Sequence, residues 1–277
     1  MKINWKKRER RQAKPFNRCG DMIEAWDQLQ NWYQTRLGTT LAEHERSLLG
    51  ETLSNLFGYQ LLQVGRINDE DWLSNSRVSQ CNVMDFPPIE PLTKTLSFQG
   101  LPEYMPIQTA SMDVIVLPHV LEFSQQPHAV LREVERVLIP EGHVAMLIFN
   151  PLSLWSFWRL GLGWRRKVPW CGRFLSTTRM KDWLALLGFD LVSIQNYFYR
   201  PPLQQMSIMQ RLPLLDRVGS RVWPILGASK LVVAKKRLVT LTPIGPRWSR
   251  PKARIANQPG LAEPFRQEQK KLSSYDQ

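Results

Sequence analysis

Cysteine is scarce in this chain of 277 residues, which contains only three. Cys19, Cys81 and Cys171 are odd in number and far apart, with no Cys-x-x-Cys spacing and no histidine partners nearby. This pattern argues against a disulfide framework and against a zinc site, because both need cysteines in pairs or clusters. We therefore expect reduced, structural cysteines, no bound metal and a reducing compartment.

Long apolar segments are missing as well. No run of about eighteen apolar residues occurs, so the sequence predicts no transmembrane helix. The first residues lack the apolar core of a signal peptide, and we expect a cytoplasmic protein. The Gly-x-Gly-x-x-Gly fingerprint is absent after the first predicted strand, which argues against a nicotinamide-dependent oxidoreductase.

Acidic residues are few at both ends of the chain. The net charge is +13, and residues 1–18 and 235–277 each carry +7, so the middle is close to neutral. We predict a flexible basic leader over 1–18 and a disordered basic tail over 242–277, because like charges with little apolar content form no core. Such tails either contact nucleic acid through sequence-independent attraction or serve as solubilising ends.

Residues 111–150 carry the clearest structural pattern. Two short apolar runs, 112–117 and 144–149, read as buried strands. Between them, apolar residues at helical spacing predict an amphipathic helix over 126–139, which the turn Pro140-Glu141-Gly142 ends. A helix between two buried strands is a βαβ crossover, the unit of a parallel α/β sheet.

The same stretch resembles a known family. The residues that carry the resemblance are Asp113 in a short strand, His119-Val120-Leu121-Glu122, Leu131-Arg132-Glu133, Arg136-Val137-Leu138 and Pro140-Glu141-Gly142-His143. In this order and spacing they are similar to the class I S-adenosylmethionine (SAM) dependent methyltransferases, most of all the type 11 family. The resemblance spans about residues 59–236. It implies SAM as the cofactor and a small molecule as the methyl acceptor.

The resemblance implies an α/β fold: a Rossmann-like, seven-stranded, mostly parallel sheet with helices on both faces. Apolar residues at helical spacing over 21–57 predict two further helices, interrupted near Gly38, as an N-terminal helical cap over 19–57. The methyltransferase-like domain then covers 58–241. A helix over 176–187 and strands over 189–198 and 229–234 complete it, with the last strand antiparallel.

The cofactor loop should follow the first strand, 59–65. The family places an acidic residue and three glycines here, and of these only Gly65 is present. Glycine matters because backbone N–H groups can approach the cofactor where no Cβ intervenes. The resemblance implies that Gln63, Val64 and Gly65 hold the methionine part. A helix capped by Asn68, with Asp69 to Asp71 in its first turn, is expected to follow.

Two further strand ends should hold the rest of SAM. The family has a ribose-binding acid at the end of the second strand, predicted over 78–83, where Asn82 is the nearest candidate and Asp85 the alternative. After the third strand, 95–98, Gly100 with Leu101, or else Gln99, takes the adenine position. These departures from the family's pattern leave two functions open, a methyltransferase and a non-catalytic scaffold with the same fold.

The end of the fourth strand is the predicted reaction edge. Leu117 would line the cofactor, and His119 is the candidate general base because its ordinary pKa lies near neutrality. The alternative for His119 is packing or a hydrogen bond within the loop. Residues 152–167 then place four aromatic residues beside Arg165-Arg166-Lys167, as in a lid or a membrane-interface segment. A lid of this composition favours an apolar or aromatic acceptor.

Overall fold

The computed structural model of the chain describes residues 19–68, 71–86, 96–162, 168–202, 216, 219 and 221–238. The predicted leader over 1–18 and the predicted tail over 242–277 lie outside these residues, and so does the basic run 165–167. None of the helices within the described residues is long and apolar enough to cross a membrane.

A seven-stranded sheet forms the centre of the fold, with the strand order β3-β2-β1-β4-β5-β7-β6. The first five strands pair in parallel, whereas β7 is antiparallel to both of its neighbours. The predicted Rossmann-like sheet with an antiparallel last strand is therefore confirmed. The strands are β1 (Gln60–Val64), β2 (Gln80–Asp85), β3 (Leu96–Gln99), β4 (Met112–Pro118), β5 (Leu138–Phe149), β6 (Phe189–Tyr197) and β7 (Ser229–Lys236).

The helices flank this sheet and precede it. The named helices are α1 (Met22–Tyr33), α2 (Arg36–Leu53), α3 (Val120–Phe123), α4 (Pro127–Val137), α5 (Leu154–Leu162) and α6 (Thr177–Leu186). Helix α4 is the predicted crossover, but it ends at Val137 and β5 begins at once. The expectation that β5 starts near residue 144 is wrong, because Leu138 already pairs with Met112 and a register shift before Val114 accommodates the extra length.

The N-terminal cap consists of two helices, as the spacing predicts. The break lies at Gln34 and Thr35 rather than at Gly38, because the Thr35 side chain caps α2 by accepting a hydrogen bond from the Gly38 N–H. Gly38 serves a different purpose. A Cβ there would lie 2.3 Å from the Trp32 carbonyl oxygen, so glycine permits the close approach of α2 to the end of α1.

The helix predicted after β1 is absent from the described residues 65–68 and 71–79. Asp71 does not sit in a helical first turn. Its carboxylate accepts a hydrogen bond from the Leu73 N–H at 2.9 Å, and the Ser76 hydroxyl accepts one from the Val78 N–H at 3.1 Å. Short polar side chains thus close local turns, in competition with helical hydrogen bonds.

Cys19 and Cys171 form a disulfide, with their Cα atoms 5.1 Å apart. The prediction of reduced, unpaired cysteines is wrong for these two residues, whereas Cys81 is free. A separation of 152 residues carries no pairing signal in the sequence, because the fold alone brings the two together. The bond ties the start of the N-terminal cap to the segment between α5 and α6.

Candidate functional site

Three neighbouring strands end together at one edge of the sheet. The Gly65 N–H donates to the Met84 carbonyl at 2.8 Å, and the Gly100 N–H donates to the Asp85 carbonyl at 3.0 Å. These bonds continue the ladders of β1, β2 and β3 and bring Gly65, Asp85 and Gly100 side by side. Open α/β sheets bind ligands at this carboxyl edge.

Gly65 has a φ of 82°, a conformation that side chains other than glycine rarely adopt. Helix α1 lies directly over it. A Cβ on Gly65 would be 2.5 Å from Cζ2 of Trp26 and 2.9 Å from Cε2 of Phe86. The Trp26 indole N–H and the Gln30 amide both donate to the Arg66 carbonyl, at 3.1 and 2.7 Å. The cap therefore covers the loop after β1.

Asp85 is the last residue of β2, and its carboxylate is buried. Arg66 contacts both carboxylate oxygens, Nε to Oδ1 at 3.3 Å and a terminal nitrogen to Oδ2 at 3.1 Å. Burial raises the pKa of Asp85, and the guanidinium of Arg66 partly offsets that rise. The ion pair with Arg66 thus keeps the Asp85 carboxylate at the end of β2, where the family has its ribose-binding acid.

Asn82 does not lie at this edge. It pairs with Leu62 in the middle of the β1–β2 ladder, and its amide donates to the Gln60 side chain at 3.2 Å. The predicted end of the second strand was placed too early, since β2 runs to Asp85 rather than to residue 83. The assignment of Asn82 to the strand end is wrong, and the alternative, Asp85, occupies that position.

The other predicted cofactor contacts divide into two groups. Gln63, Val64 and Leu117 are buried within β1 and β4, and the Gln63 amide donates to the Gly65 carbonyl at 3.0 Å, so it supports the loop from behind. Leu101 is largely exposed and forms an isolated bridge with Tyr104 beyond β3. Among the predicted cofactor contacts, Gly65, Gly100 and Leu101 lie at the carboxyl edge beside Asp85.

His119 follows β4 in a left-handed conformation, with a φ of 55°. The side chain is completely buried and both ring nitrogens face carboxylates. Nδ1 is 3.2 Å from Glu122 Oε1, and Nε2 is 3.0 Å from Glu45 Oε1 on α2. Its ring also stacks on Phe149, with the centroids 4.1 Å apart. The cap and the sheet edge thus meet at this residue.

Two tyrosines complete the cluster around Glu45. The hydroxyl of Tyr33 donates to one oxygen of Glu45 and that of Tyr197 to the other, each at 2.8 Å. Burial raises the pKa of both tyrosines well above the ordinary value, and the charge of Glu45 raises it further. Glu122 also accepts the Phe149 N–H at 2.6 Å.

The protonation state of His119 follows from these neighbours. Burial lowers its pKa, but the negative charges of Glu45 and Glu122 more than offset that effect and raise the pKa to about 9. At neutral pH the ring is an imidazolium, which has no lone pair to accept a proton. This arrangement contradicts the general-base role and agrees with the alternative of a hydrogen bond within the loop.

Three residues of this edge escaped the sequence analysis. Glu45 had a visible signal, since it lies on the apolar face of α2 between Leu41 and Leu48, where a charge predicts a buried partner. Trp26 is one of the apolar residues whose spacing predicts α1, and nothing in that spacing indicates the sheet edge that it covers. Nothing in the sequence indicates the role of Arg66, because its partner Asp85 lies nineteen residues away, at the end of β2.

The aromatic segment after β5, which was predicted as a lid, is buried in part and exposed in part. Trp155 is fully buried, and its indole N–H donates to the Arg200 carbonyl at 2.9 Å. Phe157 and Trp158 are exposed on the same helix, and Trp164 lies outside the described residues. In the described part of the chain, no group of three or more His, Cys, Asp or Glu side chains is arranged so that it could hold a metal ion.

Comparison with known proteins agrees with this geometry. Residues 85–146 match a family model described as a methyltransferase domain, from Asp85 into β5. The protein YafS of Escherichia coli strain K12, described as uncharacterized, is 27% identical over 225 residues, which cover 80% of this chain and 86% of that protein.

Solved structures share the fold at low identity. A SAM-dependent methyltransferase from Thermotoga maritima superposes with a TM-score of 0.55 at 15% identity, covering 77% of this chain and all of that one. The methyltransferase bound to the Trm112 activator of Haloferax volcanii gives 0.53 at 11%, covering 76% and 98%. The strand order and these superpositions show the Rossmann-like fold of class I methyltransferases, and residues 85–146 resemble the type 11 methyltransferase domain.

Proposed function

We propose that this chain is a SAM-dependent methyltransferase that acts on an apolar or aromatic small molecule. The observation that supports it most is the group formed by Gly65, Asp85 and Gly100 at the carboxyl edge. Two glycines and a carboxylate at three adjacent strand ends are what a nucleoside-containing ligand needs. With Asp85 in the ribose role, the loop after β1 and the adenine position remain as departures from the family's pattern.

These residues fit SAM in their chemistry. The carboxylate of Asp85 would accept hydrogen bonds from the ribose hydroxyls, which is a strong interaction because the acceptor is charged. Gly65 and Gly100 would allow close approach to the methionine and adenine parts, since neither carries a Cβ. Leu101, which is exposed beyond β3, would contact the adenine.

Side chains of the cap and the loop lie over this group and must rearrange. Trp26 fills the space next to Gly65, and Arg66 donates hydrogen bonds to the carboxylate of Asp85. When α1 moves outward, Asp85 becomes available to hydroxyl groups and Arg66 to an anionic group such as the carboxylate of the methionine part.

The bound cofactor supplies an electrophilic methyl group on a sulfonium. The chain's contribution is positioning, because an in-line transfer depends mostly on geometry. His119 holds a proton between Glu45 and Glu122 and thereby fixes the end of β4 against the cap. The aromatic residues of α5 favour an apolar or aromatic acceptor, since flat rings stack on such side chains.

Titration calorimetry with SAM tests this proposal. We expect the wild type to bind SAM and Asp85→Asn to bind about 10-fold to 100-fold more weakly, because a hydrogen bond to a charged group contributes about 1.5 to 3 kcal/mol. The matched control is Asn82→Ala, which removes a polar side chain from the same strand and should leave the affinity unchanged within about twofold.

Two results would contradict the proposal. If Asn82→Ala lost affinity for SAM and Asp85→Asn did not, Asn82 in the middle of β2 would be the residue that binds the ribose, and not Asp85. No binding to the folded wild type at millimolar SAM would support the non-catalytic scaffold instead. Contact with nucleic acid stays a prediction for the basic tails alone.

A further inference from the structure

Large apolar side chains are exposed on two segments at one end of the molecule. Three lie on α5 and four lie around the 3₁₀ helix Pro224–Leu226, and each is between 40% and 70% exposed. We call this set the aromatic edge: Leu154, Phe157, Trp158, Val222, Trp223, Ile225 and Leu226. Exposed apolar patches that extend over several side chains mark sites of interaction with proteins or membranes.

The two segments lie next to each other. A cleft of about 170 Å³ lies between them, lined by Leu154, Tyr199, Pro201, Gly219, Trp223 and Leu226. Asn150 ties them together, because its amide donates to the carbonyls of Ile225 and Gly227 at 2.7 and 2.8 Å. The aromatic edge is therefore a built feature, held in place by buried hydrogen bonds.

The aromatic edge belongs to the carboxyl end of the sheet. Helix α5 follows the end of β5, and β6 runs parallel to β5 because both are antiparallel to β7. Helix α5 therefore begins where β5 ends, and the second exposed segment leads into the start of β7, which pairs with the ends of β5 and β6. Both lie on the same side of the sheet as His119 and Asp85. A ligand held on this surface would lie at the end of the molecule that carries the candidate site.

The sequence around the aromatic edge is strongly basic. Residues 142–181 contain no acidic residue and seven cationic ones: Arg159, Arg165, Arg166, Lys167, Arg173, Arg179 and Lys181. Residues 200–226 contain four arginines and one acid, Asp216, whose carboxylate is paired with Arg200 at 2.7 Å. A partner for this surface must combine an apolar layer with negative charge.

We propose that the aromatic edge binds the surface of an anionic lipid bilayer. Tryptophan and phenylalanine insert at the boundary between headgroups and acyl chains, and flanking lysine and arginine are attracted to anionic headgroups. A second copy of this chain is disfavoured as the partner, because it would place two basic surfaces against each other. The proposal does not depend on SAM binding.

Sedimentation of the full-length chain with lipid vesicles tests the proposal. Vesicles of phosphatidylcholine and phosphatidylglycerol in equal parts should bind the protein, and vesicles of phosphatidylcholine alone should bind it far more weakly. The triple variant Phe157→Ser, Trp158→Ser, Trp223→Ser should lose at least about tenfold in binding to the anionic vesicles, because it removes the inserting side chains and keeps every charge.

The matched control is Phe57→Ser, Tyr59→Ser, Leu186→Ser, which alters three side chains that are also exposed but lie elsewhere. It should bind anionic vesicles like the wild type, and both triple variants should keep the wild-type melting temperature. Equal binding by the wild type and the first variant would overturn the proposal, since charge alone would then account for it. A wild-type dimer that this variant dissociates would overturn it too and identify a second copy as the partner.

Discussion

The buried charge of His119 should make stability depend on pH in a defined window. Its pKa is raised from 6.5 to about 9 in the folded protein. The stabilisation is fully present below pH 6.5 and is lost as pH rises through 9, because the folded state then no longer holds one more proton than the unfolded state. At 1.36 kcal/mol for each pH unit, a shift of this size is worth about 3 kcal/mol.

The assay is urea unfolding of the wild type and His119→Gln from pH 6 to 9.5. The difference in unfolding free energy between the two proteins should shrink by about 3 kcal/mol across that range. Other groups titrate there, notably buried Lys230, whose pKa burial lowers to about 8 against the charge of Glu122. Lys230 is present in both proteins, so the subtraction removes its contribution except for the part that is coupled to His119 through Glu122.

His128→Gln is the matched control. The ring of His128 contacts that of Trp183 in a tilted arrangement, with the centroids 3.9 Å apart, and burial together with nearby arginines lowers the pKa of His128. Its contribution to the pH dependence therefore lies below pH 6.5, and the control should parallel the wild type above that value. A difference between wild type and His119→Gln that stays constant from pH 6 to 9.5 would refute the reasoning. If His119→Gln does not fold, an NMR titration of the wild type tests the same reasoning. An imidazole pKa of about 9 for His119 would agree with it, and one of 6.5 would refute it.

Two further predictions concern the cap. The double variant Cys19→Ser, Cys171→Ser should have a free energy of unfolding that is lower by up to about 5 kcal/mol, because the bond closes a loop of 152 residues. The control Cys81→Ser should melt like the wild type in calorimetry. A double variant with unchanged stability would show that the bond does not form in solution. Trp26→Ala should cost about 3 to 5 kcal/mol of stability yet bind SAM more tightly than the wild type, because the side chain that fills the space at Gly65 is gone. The control Trp158→Ala should change neither the stability nor the affinity for SAM. Weaker SAM binding by Trp26→Ala would contradict the prediction and mean that the indole of Trp26 contacts the cofactor.

The strands and α4 could be predicted because their patterns are local. Periods of two and of 3.6 residues, with proline and glycine at the ends, identify β4, α4, α6 and β7 within a few residues. The errors arose where a local signal competed with a distant partner. Asp71 reads as part of a helical first turn but closes a short turn instead, and β5 begins early because Met112 offers it a pairing partner.

The candidate site was harder to predict because its residues come from distant parts of the chain. Arg66 meets Asp85, Glu45 meets both His119 and Tyr197, and Cys19 meets Cys171 only once the cap has packed on the sheet. The family resemblance predicts which strand ends matter. It cannot reveal that the ring expected to be a base lies between two carboxylates, since Glu45 belongs to the cap rather than to the shared core.

Hydrogen–deuterium exchange of the wild type with and without SAM tests the central claim most directly. SAM should change exchange in α1, which lies over Gly65, and should slow it in the backbone from Gly65 to Arg66 and around Asp85. Helix α6, away from the candidate site, should exchange at the same rate in both states. Saturating SAM that leaves α1 and the ends of β1 and β2 unchanged would contradict the account.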